Sequence, residues 1–104
     1  MNETFKQQVF EIIKMIPIGR VTTYGAIAKA VGFPNYSRHV GNALRNYDED
    51  FPAHRVCSAC GIISAESCIP KFTEKLAKEG VEVKGNKIQN FKQVFWNPLE
   101  EINL

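Results

Sequence analysis

Thr23-Tyr24-Gly25-Ala26-Ile27-Ala28-Lys29-Ala30-Val31-Gly32-Phe33-Pro34-Asn35-Tyr36-Ser37-Arg38-His39-Val40-Gly41-Asn42-Ala43-Leu44-Arg45-Asn46 is the stretch whose reading decides the fold. Thr23 offers a side-chain oxygen in front of Tyr24, Ile27, Ala28 and Val31, which share one helical face. Gly32 stands where a left-handed cap ends that helix. Phe33-Pro34-Asn35 turns the chain. The next helix runs from about Tyr36 or Ser37 to Asn46 and buries Val40, Ala43 and Leu44. Two short helices joined by a glycine-containing turn form a helix-turn-helix, whose second helix is the one usually laid into DNA.

The outward face of that second helix carries Arg38, Gly41, Asn42 and Arg45 at three- and four-residue spacing, so these line up. Two guanidinium groups flank a glycine that lets another backbone approach closely. A solvated face with a helix–helix contact at Gly41 is the competing reading. The two part at Arg38, because Arg38→Ala leaves any DNA affinity untouched if the face is merely solvated.

Upstream, Thr4 and Gln7 form a capping box. Phe5, Val9, Ile12, Ile13 and Ile16 then make the core stripe of a first helix, which Pro17 ends. Val21-Thr22 is a short extended piece. Downstream of the acidic Asp48-Glu49-Asp50 loop come Pro52 to Val56, then Cys57-Ser58-Ala59-Cys60-Gly61 and Ile62-Ile63, which read as a buried strand, a turn at Gly61 and a second short strand. Pro70 opens a fourth helix with Phe72 and Leu76 inward and Gly80 past its end. Val81-Glu82-Val83 alternates like a half-exposed strand before a Lys84-Gly85-Asn86-Lys87 turn. Phe91, Val94, Phe95 and Trp96 are expected to pack the tail onto the body.

A chain of 104 residues is expected to form one domain. Its parts are the helix-turn-helix at 23–46, a pocket region at 51–80 and a packed tail at 88–104. No apolar run approaches the roughly 18 residues of a membrane span, and no signal-peptide core is visible, so cytoplasm is the default. The net charge of +2 is too small to demonstrate a polyanionic partner. Its distribution says more: residues 1–46 hold six basic side chains against Glu3 and Glu11. Three cysteines without a secretion signal argue against a disulfide framework.

Chemistry concentrates at Phe51-Pro52-Ala53-His54-Arg55-Val56. Between a rigid proline and a potential base, where a reactive side chain is expected, stands Ala53. His54 beside a carboxylate such as Glu79 would form the base–orienter half of a nucleophilic site. A hydrogen-bonded structural histidine is the alternative. His54, Cys57, Cys60 and Cys68 have metal-like spacing, but they crowd into one strand and turn, so no metal is expected. No helix N-terminus follows Cys57-x-x-Cys60 to activate a thiol. Small buried residues account for these cysteines better.

Four motifs in order carry a resemblance. Ile16-Pro17-Ile18-Gly19-Arg20-Val21-Thr22-Thr23-Tyr24-Gly25-Ala26-Ile27-Ala28, Ser37-Arg38-His39-Val40-Gly41-Asn42-Ala43, Pro52-Ala53-His54-Arg55-Val56 and Glu79-Gly80 resemble the DNA-binding domain of O6-alkylguanine-DNA alkyltransferases. Those enzymes carry Pro-Cys-His-Arg-Val, and the cysteine accepts the alkyl group. Ala53 in that place, and the lack of a separate N-terminal domain, make the chain similar to the alkyltransferase-like proteins, which bind alkylated guanine without repairing it.

The resemblance implies a mainly helical α/β fold, winged helix-turn-helix-like, with a short β-hairpin. It implies nucleotide flipping by Tyr24, which crowds a phosphate, and by Arg38, which enters the base stack. The helix bearing Ser37, Arg38, Gly41, Asn42 and Arg45 would dock in the minor groove. Gly41 suits that, whereas Tyr36 and His39 are bulkier than the family pattern. Pro52, Ala53, His54 and Val56 would line the lesion pocket, with His54 and Glu79 as remnants of the activating pair. The hinge asparagine corresponds to Asn46, and the family's Tyr-Ser lid is not recognisable in Ser64 to Cys68.

No cofactor is implied. The expected partners are double-stranded DNA containing O6-alkylguanine and, by resemblance, nucleotide excision repair proteins, with the chain a monomer acting at the nucleoid. Extruding a base costs a few kcal/mol, and O6-alkylation lowers that cost by removing a Watson–Crick donor. An inserted arginine fills the gap. A methyl in place of a thiol leaves room for larger O6-alkyl groups. The competing functions are alkyl transfer to a relocated Cys57 or Cys60, and a plain helix-turn-helix regulator.

Overall fold

The computed structural model describes residues 3–45, 52–63 and 68–101, without the side chains of Glu3 and Arg45. Two apolar clusters organise them. The first is built on α1 (Glu3–Met15), whose stripe of Phe5, Val9, Ile12 and Ile13 is at most 8% exposed. Ile16, Ile27, Ala28, Val40, Val56 and Trp96 complete it. The second gathers Val21, Cys57, Ile63, Leu76, Val81 and Ile88. Thr4 does not cap α1: the helix already includes Glu3, so Thr4 lies in its first turn and any cap lies upstream.

A two-residue parallel pair joins the clusters. β1 (Thr22–Thr23) pairs with β2 (Val56–Cys57), Thr22 opposite Val56 and Thr23 opposite Cys57. Successive strand side chains point to opposite faces. Val56 therefore enters the first cluster and Cys57 the second.

The expected strand from Pro52 and its hairpin with Ile62-Ile63 are corrected. Ala53–Arg55 is a 3₁₀ turn, closed by the Arg55 N–H donating to the Pro52 carbonyl at 3.1 Å. Only Val56 and Cys57 are extended, and they pair with β1. The chain then folds tightly on itself: Gly61 N–H donates to the Ser58 carbonyl, and Ser58 N–H to the Ile62 carbonyl. Gly61 has φ +78°, and a Cβ there would lie 3.0 Å from the Phe91 ring. Ile62 is thereby delivered to Lys87 as an isolated antiparallel bridge. The β-hairpin is formed instead by β3 (Val83–Lys84) and β4 (Lys87–Ile88).

α4 (Ile69–Lys78) has Pro70 in its first turn, buries Leu76 and ends before Gly80 at φ +86°. The tail packs as its aromatics predict. α5 (Phe91–Val94) leads to a parallel bridge between Val21 and Phe95. Trp96 N–H donates to the Val21 carbonyl at 2.7 Å, and its ring is 4% exposed. Arg20 fastens the same segment by donating to the Val94 and Phe95 carbonyls and to Glu101 in α6 (Pro98–Glu101). Among the described residues, no helix is long and apolar enough to cross a membrane.

Candidate nucleic-acid interface

The helix-turn-helix forms as its local signals dictate. Thr23 is extended, and its hydroxyl accepts from the Ala26 N–H at 3.0 Å, capping α2 (Tyr24–Ala30). At the other end, Gly32 has φ +91° and donates to the Lys29 carbonyl, while Phe33 donates to that of Ala28. That pair of bonds is a Schellman closure, which satisfies the last carbonyls of α2 and reverses the chain. Tyr36 N–H bonds back to Phe33, and Val40 N–H reaches Tyr36 to start α3 (Ser37–Arg45). Val40 and Ala43 are buried and Leu44 packs against the first cluster.

The opposite face of α3 is open. Ser37, Arg38 and Asn42 are exposed. Among the described residues, a Cβ added at Gly41 would meet no atom within 4 Å, so they offer no helix–helix contact that would explain this glycine. The Arg45 side chain, Asn46, the acidic residues 48–50 and Phe51 lie outside the described residues. At the first turn of α2 the Tyr24 ring is half-buried and packs on the first cluster. Tyr36 and His39 do not project from the helix as separate bulk: their rings stack on each other, 4.3 Å apart and 23° from parallel.

Where the 3₁₀ turn meets the end of α4 lies a largely buried ionic knot. His54 Nε2 sits 2.7 Å from Glu79 Oε2. Arg55 grips the same carboxylate with two bonds, Nε to Oε1 at 2.9 Å and Nη2 to Oε2 at 2.8 Å. Its Nη1 donates to the Ile16 carbonyl at 3.0 Å. Gly19 N–H approaches Oε1 at 3.5 Å. Gly19 needs its φ of +85° and its missing side chain here, since a Cβ would lie 3.3 Å from the Glu79 carbonyl. Glu79 therefore ties together the Ile16–Arg20 turn, the 3₁₀ turn and the end of α4.

The electrostatics fix the protonation of the knot. Hydrogen bonds from Arg55, and secondarily His54, hold the Glu79 carboxyl down to about 2. Burial pushes His54 below its ordinary value and outweighs the opposing pull of Glu79. An ionised carboxylate only accepts, so Nε2 of His54 carries the proton and donates. Nδ1 is then a bare acceptor, buried and without a partner among the described residues. An arrangement of this form can take a proton at Nδ1 from a neighbouring acid. The side chain that precedes it is the methyl of Ala53, half-buried next to Pro52.

Residues 4–81 match the family described as 6-O-methylguanine DNA methyltransferase, DNA binding domain. The chain belongs to that family. It is 39% identical over 99 residues to a DNA base-flipping protein of Vibrio parahaemolyticus, spanning 92% of this chain and 99% of that one. It is 32% identical to alkyltransferase-like protein 1 of Schizosaccharomyces pombe, across 92% of this chain and 97% of the relative. The fold matches that of S. pombe Atl1 in a crystal structure with damaged DNA containing O6-carboxymethylguanine. The TM-score is 0.86 at 32% identity, covering 94% of this chain and 99% of that chain.

Two site features escaped the sequence reading. Arg55 stood in the quoted motif without a role, yet it supplies two of the three side-chain bonds to Glu79. A charged residue next to a buried histidine was the available signal. Gly19 likewise stood in the quoted motif without a role, although the turn brings its backbone onto the carboxylate. Of the predicted pocket residues, Val56 is 3% exposed and belongs to the core, whereas Pro52 and Ala53 are half-buried. Residues 64–67, where a lid was sought, lie outside the described residues. Cys57, His54 and Cys60 do not converge. Cys57 is fully buried with its thiol on the Thr22 carbonyl, and burial pushes it up to about 12, while Cys60 is exposed.

Proposed function

We propose that this protein reads O6-alkylguanine in duplex DNA without repairing it. α3 docks in the minor groove, with Ser37, Gly41, Asn42 and Arg45 against the groove. Tyr24 crowds the phosphate of the target nucleotide, Arg38 takes the vacated place in the base stack, and the flipped base lodges beside Pro52, Ala53 and His54. One observation carries the reading: the His54–Glu79–Arg55 knot is fully assembled, yet Ala53 precedes it with no atom that can accept an alkyl group. The knot serves as structure. Alkyl transfer to a relocated Cys57 is disfavoured, because its thiol is buried and held protonated, and the thiolate is the nucleophile. The likeness to an Atl1 complex with damaged DNA supports lesion binding over sequence-specific major-groove reading. Held lesions, bent and marked, would be handed to nucleotide excision repair proteins by a monomeric reader.

The test mixes the protein with duplexes containing O6-methylguanine or guanine, and measures affinity by fluorescence anisotropy and intact protein mass. Tighter lesion binding with unchanged mass is expected. Equal affinity for the two duplexes overturns the reading, and a methyl gained by the protein shows a relocated acceptor.

A further inference from the structure

An aromatic ladder climbs from α1 onto the flank of α3. Phe5, 5% exposed, anchors it. Its ring meets Phe33 edge-on at 5.8 Å and Tyr36 at 5.7 Å. Phe33 stacks on Tyr36 at 5.0 Å and 28°, and Tyr36 on His39 at 4.3 Å and 23°. The lower rung is core, but Phe33 and Tyr36 are 44% and 38% exposed, and His39 is exposed. Stacking on an aromatic face restrains an imidazole that would otherwise sample several rotamers. The outermost rung is thus a histidine held in place at the surface.

Its position on the helix gives it a target. Val40, Ala43 and Leu44 define the core side of α3, and Arg38 and Asn42 point away from it. At 3.6 residues per turn, His39 lies about 100° round from Arg38, on the flank and not the crest. A helix whose crest enters a groove brings its flanks against the sugar–phosphate walls. Among the described side chains, Arg38 and the Tyr36 phenol neighbour His39 on and beside α3, and Lys6 follows Phe5 on α1. No carboxylate among the described residues pairs with His39. Among these residues the imidazolium therefore has no internal counter-ion, and a DNA phosphate would supply one.

We infer that His39, braced by Tyr36 and Phe33, is a protonation-dependent phosphate contact on the flank of the recognition helix. The inference rests on the groove-docking reading above. Histidine changes charge between about pH 5 and 8, and a phosphate favours the charged form, so DNA binding takes up a proton. Acidification then adds about one phosphate contact, which steepens the salt dependence of log K by about 0.9 and is worth roughly three- to tenfold in affinity near 0.1 M salt. The contact is to the backbone, so plain and alkylated duplexes gain equally.

The experiment titrates wild type, His39→Gln and Tyr36→Leu with guanine and O6-methylguanine duplexes at about pH 5.5 and pH 8, over a salt series. Circular dichroism confirms folding, and His39 is exposed, so His39→Gln is expected to fold. Wild type should gain the stated factor and slope on both duplexes, and His39→Gln should lose both gains. Tyr36→Leu, which keeps the imidazole and removes its stacking surface, should retain less than half of the gain. A pH response unchanged in His39→Gln, or absent in wild type, overturns the contact. A full response in Tyr36→Leu overturns the bracing. Failure of the docking reading is separate: it shows as equal affinity for the two duplexes at either pH.

Discussion

Glu79→Gln is the substitution that most directly tests the knot. The amide keeps the volume, but it removes the charge and one of the two acceptor oxygens. Arg55 loses its bidentate, charge-assisted grip at 2.8 and 2.9 Å and is left with the Ile16 carbonyl and at most one bond to a neutral amide oxygen. Both side chains of the pair are 13% exposed. Removing one partner of a fully buried pair costs about 3–5 kcal/mol, and some residual solvation lowers that to roughly 2–4 kcal/mol here. The depressed carboxyl points to a cost of the same size: held to about 2 against an ordinary 4.5, it corresponds to about 3 kcal/mol at neutral pH.

Trp96, 4% exposed and the single tryptophan, reports unfolding by fluorescence. With a urea m-value near 1–1.5 kcal/mol per molar for a chain this size, the midpoint should fall by about 2 M at pH 7. The pH dependence has a definite sign. Glu79 is depressed in the folded state, so its contribution is present above pH 4.5 and lost as pH falls towards 2. His54 is also depressed, so the unfolded chain binds its proton first and stability begins to fall below about 6.5. Glu79→Gln should erase the lower of these two losses. A cost under about 1 kcal/mol at pH 7, or an unchanged loss between pH 4.5 and 2, would refute the assigned role of the knot.

Gly41→Ala should act with opposite signs on fold and function. A helix-interior alanine is worth up to about 1 kcal/mol over glycine, and the added methyl meets no atom of the described residues. Thermal stability should therefore rise while duplex affinity falls, and unchanged affinity would remove the close groove approach. Ala53→Cys places a thiol before an assembled base and orienter. It should gain methyl mass slowly from an O6-methylguanine duplex in intact-mass measurements; a variant that binds the lesion but stays unmodified would show that the knot no longer serves proton transfer.

The helix-turn-helix was legible because every signal in it is local. Thr23 needs only Ala26, and Gly32 needs only the carbonyl of Lys29, each within three residues. The stretch around Ala53 was misread as a strand because its conformation depends on distant partners. β2 pairs with β1, 34 positions earlier, and Ile62 pairs with Lys87. Apolar content alone cannot tell a two-residue parallel pair from one arm of a hairpin. The motif named His54 and Glu79, but their meeting depends on Arg55, and a bond spanning 24 residues leaves no periodic trace. The core contact of Tyr24 was legible in part: it shares the helical face of Ile27, Ala28 and Val31, and its place one residue after a buried cap leaves the ring half-buried against the first cluster.

This distribution of dependencies explains how the chain can lack a nucleophile and keep the rest of the site. Ala53 contributes a methyl to a 3₁₀ turn whose closing bond runs between the Pro52 and Arg55 backbones, so the identity of residue 53 is nearly free of structural demand. Glu79 is the opposite case. It holds three segments at one point, and without it the half-buried guanidinium of Arg55 would lose its charged partner at a cost of about 1–3 kcal/mol or more. A change at residue 53 leaves all of these bonds in place, whereas loss of the Glu79 carboxylate would unpair Arg55 and loosen the turn that carries Gly19. On the reading proposed above, a chain that holds the lesion without accepting its alkyl group is therefore constrained to keep His54 and Glu79. Their presence is not evidence of catalysis; the informative position is the one without structural work, Ala53.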